Sequence, residues 1–378
     1  MSKNKIFQKS IEKMRFACIE YSTKTGRIWR PTPEKPNYLC DPETEIDPTS
    51  FGCWTSALSG EHIPVNFLRR HQNPHTLSYK LGRKLDLSLE KIQKKPIYRN
   101  LDYLKKFNLI LFLVHSFSMP LMADLIRKTK KINPDAIYLG SIVSPLGTLR
   151  EVWKKENEFR AFKTFANNCD IFINVNRDAQ DYLQSFLHTK VAYFPQFYPF
   201  EYADRFFKKR EKKEKIILVA GETERTDNLA GQFAAVQIQK KYPEFLIQVI
   251  DYPHSNIAPL KTAHARFEII PFLKWQENLK RLACFFLVIN TDQTWTLGRL
   301  QADCAAVGTP SIGINANNQL EFFPELSIPD IAGTGQGIEL AEKLISDSTF
   351  YQNIQQLASQ KLSENNYAKS KEKLLKIL

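Results

Sequence analysis

KIILVAGETERTDNLAGQFAAVQIQKKYPEFLIQVID, residues 215–251, is the stretch that decides the fold. KIILVAG (215–221) is a short unbroken apolar run ending in glycine, as a strand covered on both faces would be. NLAGQFAAVQIQKKYP (228–243) reads as a helix, and FLIQVID (245–251) as a second buried run. Two such runs joined by a helix should pair in parallel, because parallel strands need a helical crossover. The alternation continues with RFEIIPFL (266–273) as strand, QENLKRLA (276–283) as short helix, CFFLVIN (284–290) as strand, TLGRLQADCAAVG (296–308) as helix and PSIGI (310–314) as strand. The expectation is an α/β domain with a doubly wound parallel sheet.

Upstream the same pattern is looser. RFACIEYS (15–22), LILFLVHS (109–116), AIYLGSIV (136–143) and CDIFINVN (169–176) read as strands, with helices over 118–131, 149–166 and 177–187. Residues 31–80, rich in Pro, Asn, Asp and His, are poorly periodic and read as long loops near a site. FPQFYPFEYADRFFKKREKKEK (194–215) breaks the pattern with prolines and a charge run, so it reads as a hinge. At 378 residues the chain exceeds one ordinary core. Two Rossmann-like domains are therefore expected, 1–205 and 206–350, followed by terminal helices over 351–378 that can cross back to the first domain.

The longest apolar runs, LILFLV (109–114) and ACFFLVIN (283–290), are under half of what a membrane-crossing helix needs, about 20 residues. The start, MSKNKIFQKSIEKMR, lacks the apolar core of a secretory signal, so a cytoplasmic protein is expected. The six cysteines (18, 40, 53, 169, 284, 304) are scattered, which fits reduced thiols. A zinc site on Cys40, Cys53, His71 and His75 lacks the close cysteine pair such sites use. Charge is unevenly placed: residues 214–378 carry 16 Lys+Arg against 18 Asp+Glu, while residues 1–213 carry 37 against 22. The first half should attract anionic partners, an anionic membrane surface included; solvated lysine faces explain the excess equally well.

TWTLGRLQADCAAVGTPSIG (294–313) resembles the GT-B glycosyltransferases of the family-4 type, in which a helix bearing a Glu-x7-Glu pair precedes Ala-x-Gly-x-Pro and the next strand. Ala306, Gly308 and Pro310 match that ending. The family's second glutamate falls on Asp303, and the first falls on Trp295, which is left without an inherited role. The resemblance covers residues 215–345 and marks a divergent member, with the first half alike only in layout. It implies two Rossmann-like domains facing a cleft, a nucleotide-sugar donor in the second and an acceptor at the first, with retention at the anomeric centre.

The residues support a donor site on their own terms. A helix beginning near Thr296 would present free N–H groups to a diphosphate at Thr296, Leu297 and Gly298, with Arg299 adding charge. The plain alternative is a surface pair between Arg299 and Asp303. The loop GETERTDN (221–228) offers Gly221 and the fork-shaped guanidinium of Arg225, where the family has a basic pair; Arg225 could equally pair with Glu222 or Glu224. In NANNQLEFFPEL (315–326), Asn317, Asn318, Gln319 and Glu321 suit sugar hydroxyls, or simply cap the next element. On the acceptor side, Lys24, Gly26 and Arg27 follow the first strand, and His115 closes LILFLV as a candidate base or a structural histidine.

The chemistry implied is transfer of a glycosyl group from a nucleoside diphosphate sugar to a hydroxyl of a glycan or lipid-linked acceptor. His115 and Arg225 are the catalytic candidates. No Asp-x-Asp occurs, so a metal-independent reaction without a cofactor is expected. A sugar-nucleotide epimerase of the same architecture is the first rival. A basic nucleic-acid-binding protein is the second, and no recognisable binding motif speaks for it.

Overall fold

The computed structural model describes residues 14–21, 51–69, 96–115, 118–142, 146–147, 155–195, 197–204, 206–208, 210, 212–220, 229–251, 256–295 and 298–378. Their strands form two separate sheets. The first holds β1 (Phe16–Glu20), β2 (Glu61–Pro64), β3 (Leu109–Val114), β4 (Ile137–Ile142), β5 (Ile171–Asn174) and β6 (Lys190–Tyr193), in the order β2-β1-β3-β4-β5-β6. The second holds β7 (Glu214–Ala220), β8 (Leu246–Asp251), β9 (Phe267–Pro271), β10 (Phe285–Asn290), β11 (Ser311–Ile314) and β12 (Ser327–Ile328), in the order β12-β11-β10-β7-β8-β9. Neighbouring strands run parallel throughout.

The apolar runs explain why. In β3, Ile110, Phe112 and Val114 enter one core, while Leu109, Leu111 and Leu113 enter the core on the opposite face. A strand apolar on both sides needs helices over both, the α/β doubly wound arrangement the sequence predicts. Each sheet reverses its winding once, between β1 and β3 in the first and between β7 and β10 in the second. Open α/β sheets take ligands outside the carboxyl ends of strands at such reversals.

Three strands escape the apolar-run reading. EHIP (β2), KVAY (β6) and SI (β12) are short, and two of them include charged residues. The helix expected over 149–166 is described as Glu156–Asn167, and that over 177–187 is a 3-10 turn, Arg177–Ala179, followed by Gln180–Gln184.

Phe197 packs in the first domain's core and Tyr198 in the second's, so the chain passes between domains at that bond. It returns near its end. Ile354, Ala358 and Leu362 of the helix Ser348–Ser363 pack in the second core, whereas Leu374 of the helix Tyr367–Ile377 packs in the first. Lys190 Nζ donates to the Ile377 carbonyl at 2.8 Å.

Lys213 is buried just before β7, where its ammonium donates to the carbonyls of Ala283 (2.8 Å) and Val307 (3.1 Å) and to Thr309 Oγ1 (3.1 Å). It thus satisfies carbonyls at the ends of two helices, a role the macrodipole favours for a cation. Burial lowers its pKa from 10.5 to about 8. Between those values the unfolded chain holds the proton and the folded chain has lost it, so the contribution of this lysine to stability rises with pH. Burial raises the thiols of Cys18, Cys169, Cys284 and Cys304, which lowers stability over the same interval, so the lysine is read as a difference: in chemical denaturation from pH 8 to pH 10 the wild type should gain about 2 kcal/mol relative to Lys213→Met. Above pH 10 both chains should lose further stability, because burial raises the pKa of Tyr138, Tyr193 and Tyr351. Parallel profiles for the wild type and Lys213→Met over the first interval would refute the assignment.

Candidate functional site

The reversal in the second sheet places two loops at one rim, those after β7 and β10. The first carries Gly221 and Arg225, which lie outside the described residues, as do Thr296 and Leu297 in the second. Around them the second loop is firmly shaped. Asp292 Oδ1 accepts from the Thr294 N–H (2.7 Å) and hydroxyl (2.6 Å), Trp295 has φ +49°, and Gly298 has φ +74°. The helix is Arg299–Val307, so it begins three residues later than the sequence suggests, with Gly298 as its N-cap. A left-handed residue there is readily adopted only by glycine, and the helix that follows begins, as every helix does, with N–H groups that have no partner within it.

Arg299 and Asp303 are one helical turn apart but are not a surface pair. Their side chains are 16% and 5% exposed, with Arg299 Nε 3.4 Å from Asp303 Oδ1. Tyr198 OH (2.8 Å) and Trp275 Nε1 (2.9 Å) donate to the same oxygen, and the guanidinium lies 5.2 Å from both aromatic ring centres. Asp303 does not line the neighbouring cavity; its carboxylate is engaged in holding Arg299 between two rings.

That cavity, about 390 Å³ with its open mouth included, lies between Gly298, Arg299 and Ala302, the side of Asn318, Glu321 and Phe322, and Pro195, Phe197 and Tyr198 of the interdomain crossing. Glu321 lines it and also pairs with Arg177 of the first domain at 3.0 Å. Asn318 lines it too, with its side-chain amide donating to the Val175 carbonyl at 2.7 Å. Gln319 is a correction: it is fully buried, and its amide donates to the carbonyls of Ser311 and Leu326, so it braces β11 rather than facing a sugar. The Asn317 side chain lies outside the described residues.

Several of these bonds cross between the domains. Asn176 Nδ2 donates to Ala316 O (2.7 Å), Asn315 Nδ2 to Asp178 Oδ2 (2.6 Å), and Gly147 N to Thr294 O (2.9 Å). A Cβ on Gly147 would sit 2.8 Å from Thr294 Cα, so this approach of two backbones requires glycine. Trp295 packs against both cores and stacks on Tyr182, with ring centres 6.3 Å apart. The residue at the family's first-glutamate position is thus an interdomain contact.

At the other rim, Lys24, Gly26 and Arg27 lie outside the described residues. His115 is described, and the structure surrounds it with two residues that sequence reading missed. Its Nε2 is 2.9 Å from Oε1 of Glu20, whose Oε2 is 3.6 Å from His62 Nε2. Burial raises the Glu20 pKa, but hydrogen bonding to His115 and attraction to both histidines outweigh it, leaving the carboxyl below its ordinary value. Among the described residues no group of three or more His, Cys, Asp or Glu could hold a metal ion. No helix among them is long and apolar enough to cross a membrane.

No protein-family model and no curated protein matches the chain. Solved structures do. The chain is similar to a sucrose-phosphate synthase from Thermosynechococcus elongatus, with 10% identity and TM-score 0.61 over 97% of this chain and 98% of that one. It is similar to a UDP-forming alpha,alpha-trehalose-phosphate synthase from Burkholderia xenovorans, with 11% identity and TM-score 0.56 over 96% and 98%. A TarM variant from S. aureus, solved with UDP and alpha-GlcNAc-glycerol, matches with 14% identity and TM-score 0.56 over 76% and 60%. At these identities the likeness is one of fold. These neighbours are GT-B glycosyltransferases, and the two parallel six-stranded sheets described above share their architecture.

Proposed function

We propose that the chain moves a sugar from a nucleoside diphosphate sugar to an acceptor hydroxyl, as a divergent relative of the family-4-type enzymes. The observation that carries this reading is the cavity at the start of the helix Arg299–Val307, at the winding reversal of the second sheet. As the glycosidic bond breaks, negative charge gathers on the departing diphosphate. The N–H groups of a helix start and a fixed guanidinium stabilise that charge without having to reorganise. Gly298 supplies close backbone approach and Arg299 the cation. The loop residues Gly221, Arg225, Thr296 and Leu297 complete the cradle in this proposal, with Asn317 and Glu321 turned to the sugar. Asp303 acts behind them by orienting Arg299.

The finer features rest on the sequence. The lack of Asp-x-Asp supports a metal-independent reaction without a cofactor, and the family resemblance supports a hexose donor and retention. The basic first half supports a glycan or lipid-linked acceptor at an anionic inner membrane face, reached from the cytoplasm. Lys24, Gly26 and Arg27 would border that acceptor.

A nucleotide that binds only the folded chain stabilises it, by about 2.7 kcal/mol at a hundred times its Kd. In a melting screen UDP or another nucleoside diphosphate should raise Tm, and Gly298→Val should abolish the rise by reshaping the helix start. A screen in which no nucleoside diphosphate or its sugar shifts Tm would end the proposal.

A further inference from the structure

Four of the polar bonds that cross between the lobes fall on two short segments. Val175 to Asp178 follow β5 and Asn315 to Glu321 follow β11, so the carboxyl rims of the two sheets meet through them. Asn176 acts twice there. Its Oδ1 accepts from the Asp178 N–H at 3.0 Å, which shapes the 3-10 turn that begins at Arg177, and its Nδ2 donates to the Ala316 carbonyl in the other lobe. Asn318, at φ +59°, is the N-cap of the short helix Gln319–Phe322 that carries Glu321, and it donates to the Val175 carbonyl. An amide from each lobe thus grips the backbone of the other, and the Arg177 and Glu321 side chains are set opposite each other.

Stability gives this pair little reason to be so placed. The Arg177 side chain is 65% exposed, and exposed ion pairs contribute little because water screens them. Glu321 is different: its side chain is only 20% exposed, and it lines the cavity that also holds Arg299. A carboxylate left loose in that wall would be drawn toward the Arg299 guanidinium and would compete for it with an incoming diphosphate. Arg177 holds it instead. The Arg177 Nε donates to Glu321 Oε1 at 3.0 Å, and the guanidinium is steadied over the Tyr193 ring, 4.8 Å from its centre. A carboxylate has acceptor sites on both oxygens, so one bond to arginine leaves capacity for a ligand hydroxyl.

We propose that Arg177, from the first domain, is a positioning residue for the donor sugar: it holds the Glu321 carboxylate where it accepts a hydrogen bond from a sugar hydroxyl, so the donor site of the second domain is complete only when the lobes are together. The assignment to a sugar rests on the glycosyltransferase reading. The pairing of the two side chains across the lobes does not.

Calorimetric titration with UDP and with UDP-glucose separates the nucleotide from the sugar. The wild type should hold UDP-glucose more tightly than UDP. In Arg177→Met that advantage should fall about 10-fold, the size of one hydrogen bond to a charged group, with the Kd of UDP unchanged. Glu321→Gln should lose a similar factor and the double variant no more than either alone, whereas Arg177→Lys, which keeps a cation, should recover part of it. An advantage that is absent from the wild type or survives in Arg177→Met would overturn the proposal. So would an equal weakening of UDP and UDP-glucose, which marks a purely structural role. The pairing is read without nucleotide from arginine side-chain nitrogen signals: the Arg177 Nε–H, assigned by its loss in Arg177→Lys, should exchange with water more slowly in the wild type than in Glu321→Gln. Equal exchange would overturn the proposal as well. A wild type that binds neither nucleotide while this Nε–H stays protected would sink the transferase reading, and the sugar assignment with it, and leave only the contact between the lobes.

Discussion

Replacing Asp303 by alanine should destabilise the second domain by about 3–5 kcal/mol, the usual loss when one member of a buried ion pair is removed. The size follows from what is left behind. Arg299 would stay 16% exposed between Tyr198 and Trp275, and the donors Tyr198 OH and Trp275 Nε1 would both lose their acceptor. Tyr198→Phe, which removes one hydrogen bond to a charged group and leaves the pair intact, should cost only about 1.5–3 kcal/mol. Urea titration followed by a probe in the second domain measures both. A loss under about 1 kcal/mol for Asp303→Ala would mean that Arg299 swings into the adjoining cavity and finds water, against the reading that Asp303 fixes it.

Trp54→Ala should produce a comparable loss in the first domain, about 3–5 kcal/mol. Trp54 is 1% exposed and touches Phe16, Phe194 and Phe197, with ring centres 6.4, 5.1 and 5.0 Å away. A closely packed interior relaxes only in part around the space of a lost indole, so a void remains. The effect should travel: Phe197 packs edge-on against Tyr367 at 6.1 Å, at the start of the last helix. Hydrogen exchange should therefore quicken across 367–377 as well as in the sheet. Unchanged exchange there would show that the helix is held by Lys190 and its own cap, Asn366, instead.

How much of this was readable beforehand depends on sequence distance. β3, β7 and β10 announce themselves because a strand covered on both faces must be apolar at every position, and that needs no knowledge of partners. EHIP does not, because His62 is buried on account of Glu20, across a strand pairing that no local pattern encodes. The site divides in the same way. Gly298 and Arg299 are read from an expected helix start and Asp303 from the family resemblance, all within one short stretch of sequence. The true partners of Asp303 are remote: Tyr198 stands 105 residues away, and Glu20 stands 95 from His115. Gln319 was misjudged for the opposite reason, since a polar residue in a polar loop gives no sign that its amide closes onto backbone carbonyls inside the core.

The two places where the chain crosses between its lobes have a mechanical effect. Phe197 and Tyr367 touch, and Pro195 and Asn365 border the same cavity, so the outgoing and returning segments lie side by side. A lone tether lets one body twist freely against another, whereas a doubled one resists torsion and leaves bending about a line through both. The lobes should accordingly part and meet along a single arc, bringing the same two rims face to face on every stroke.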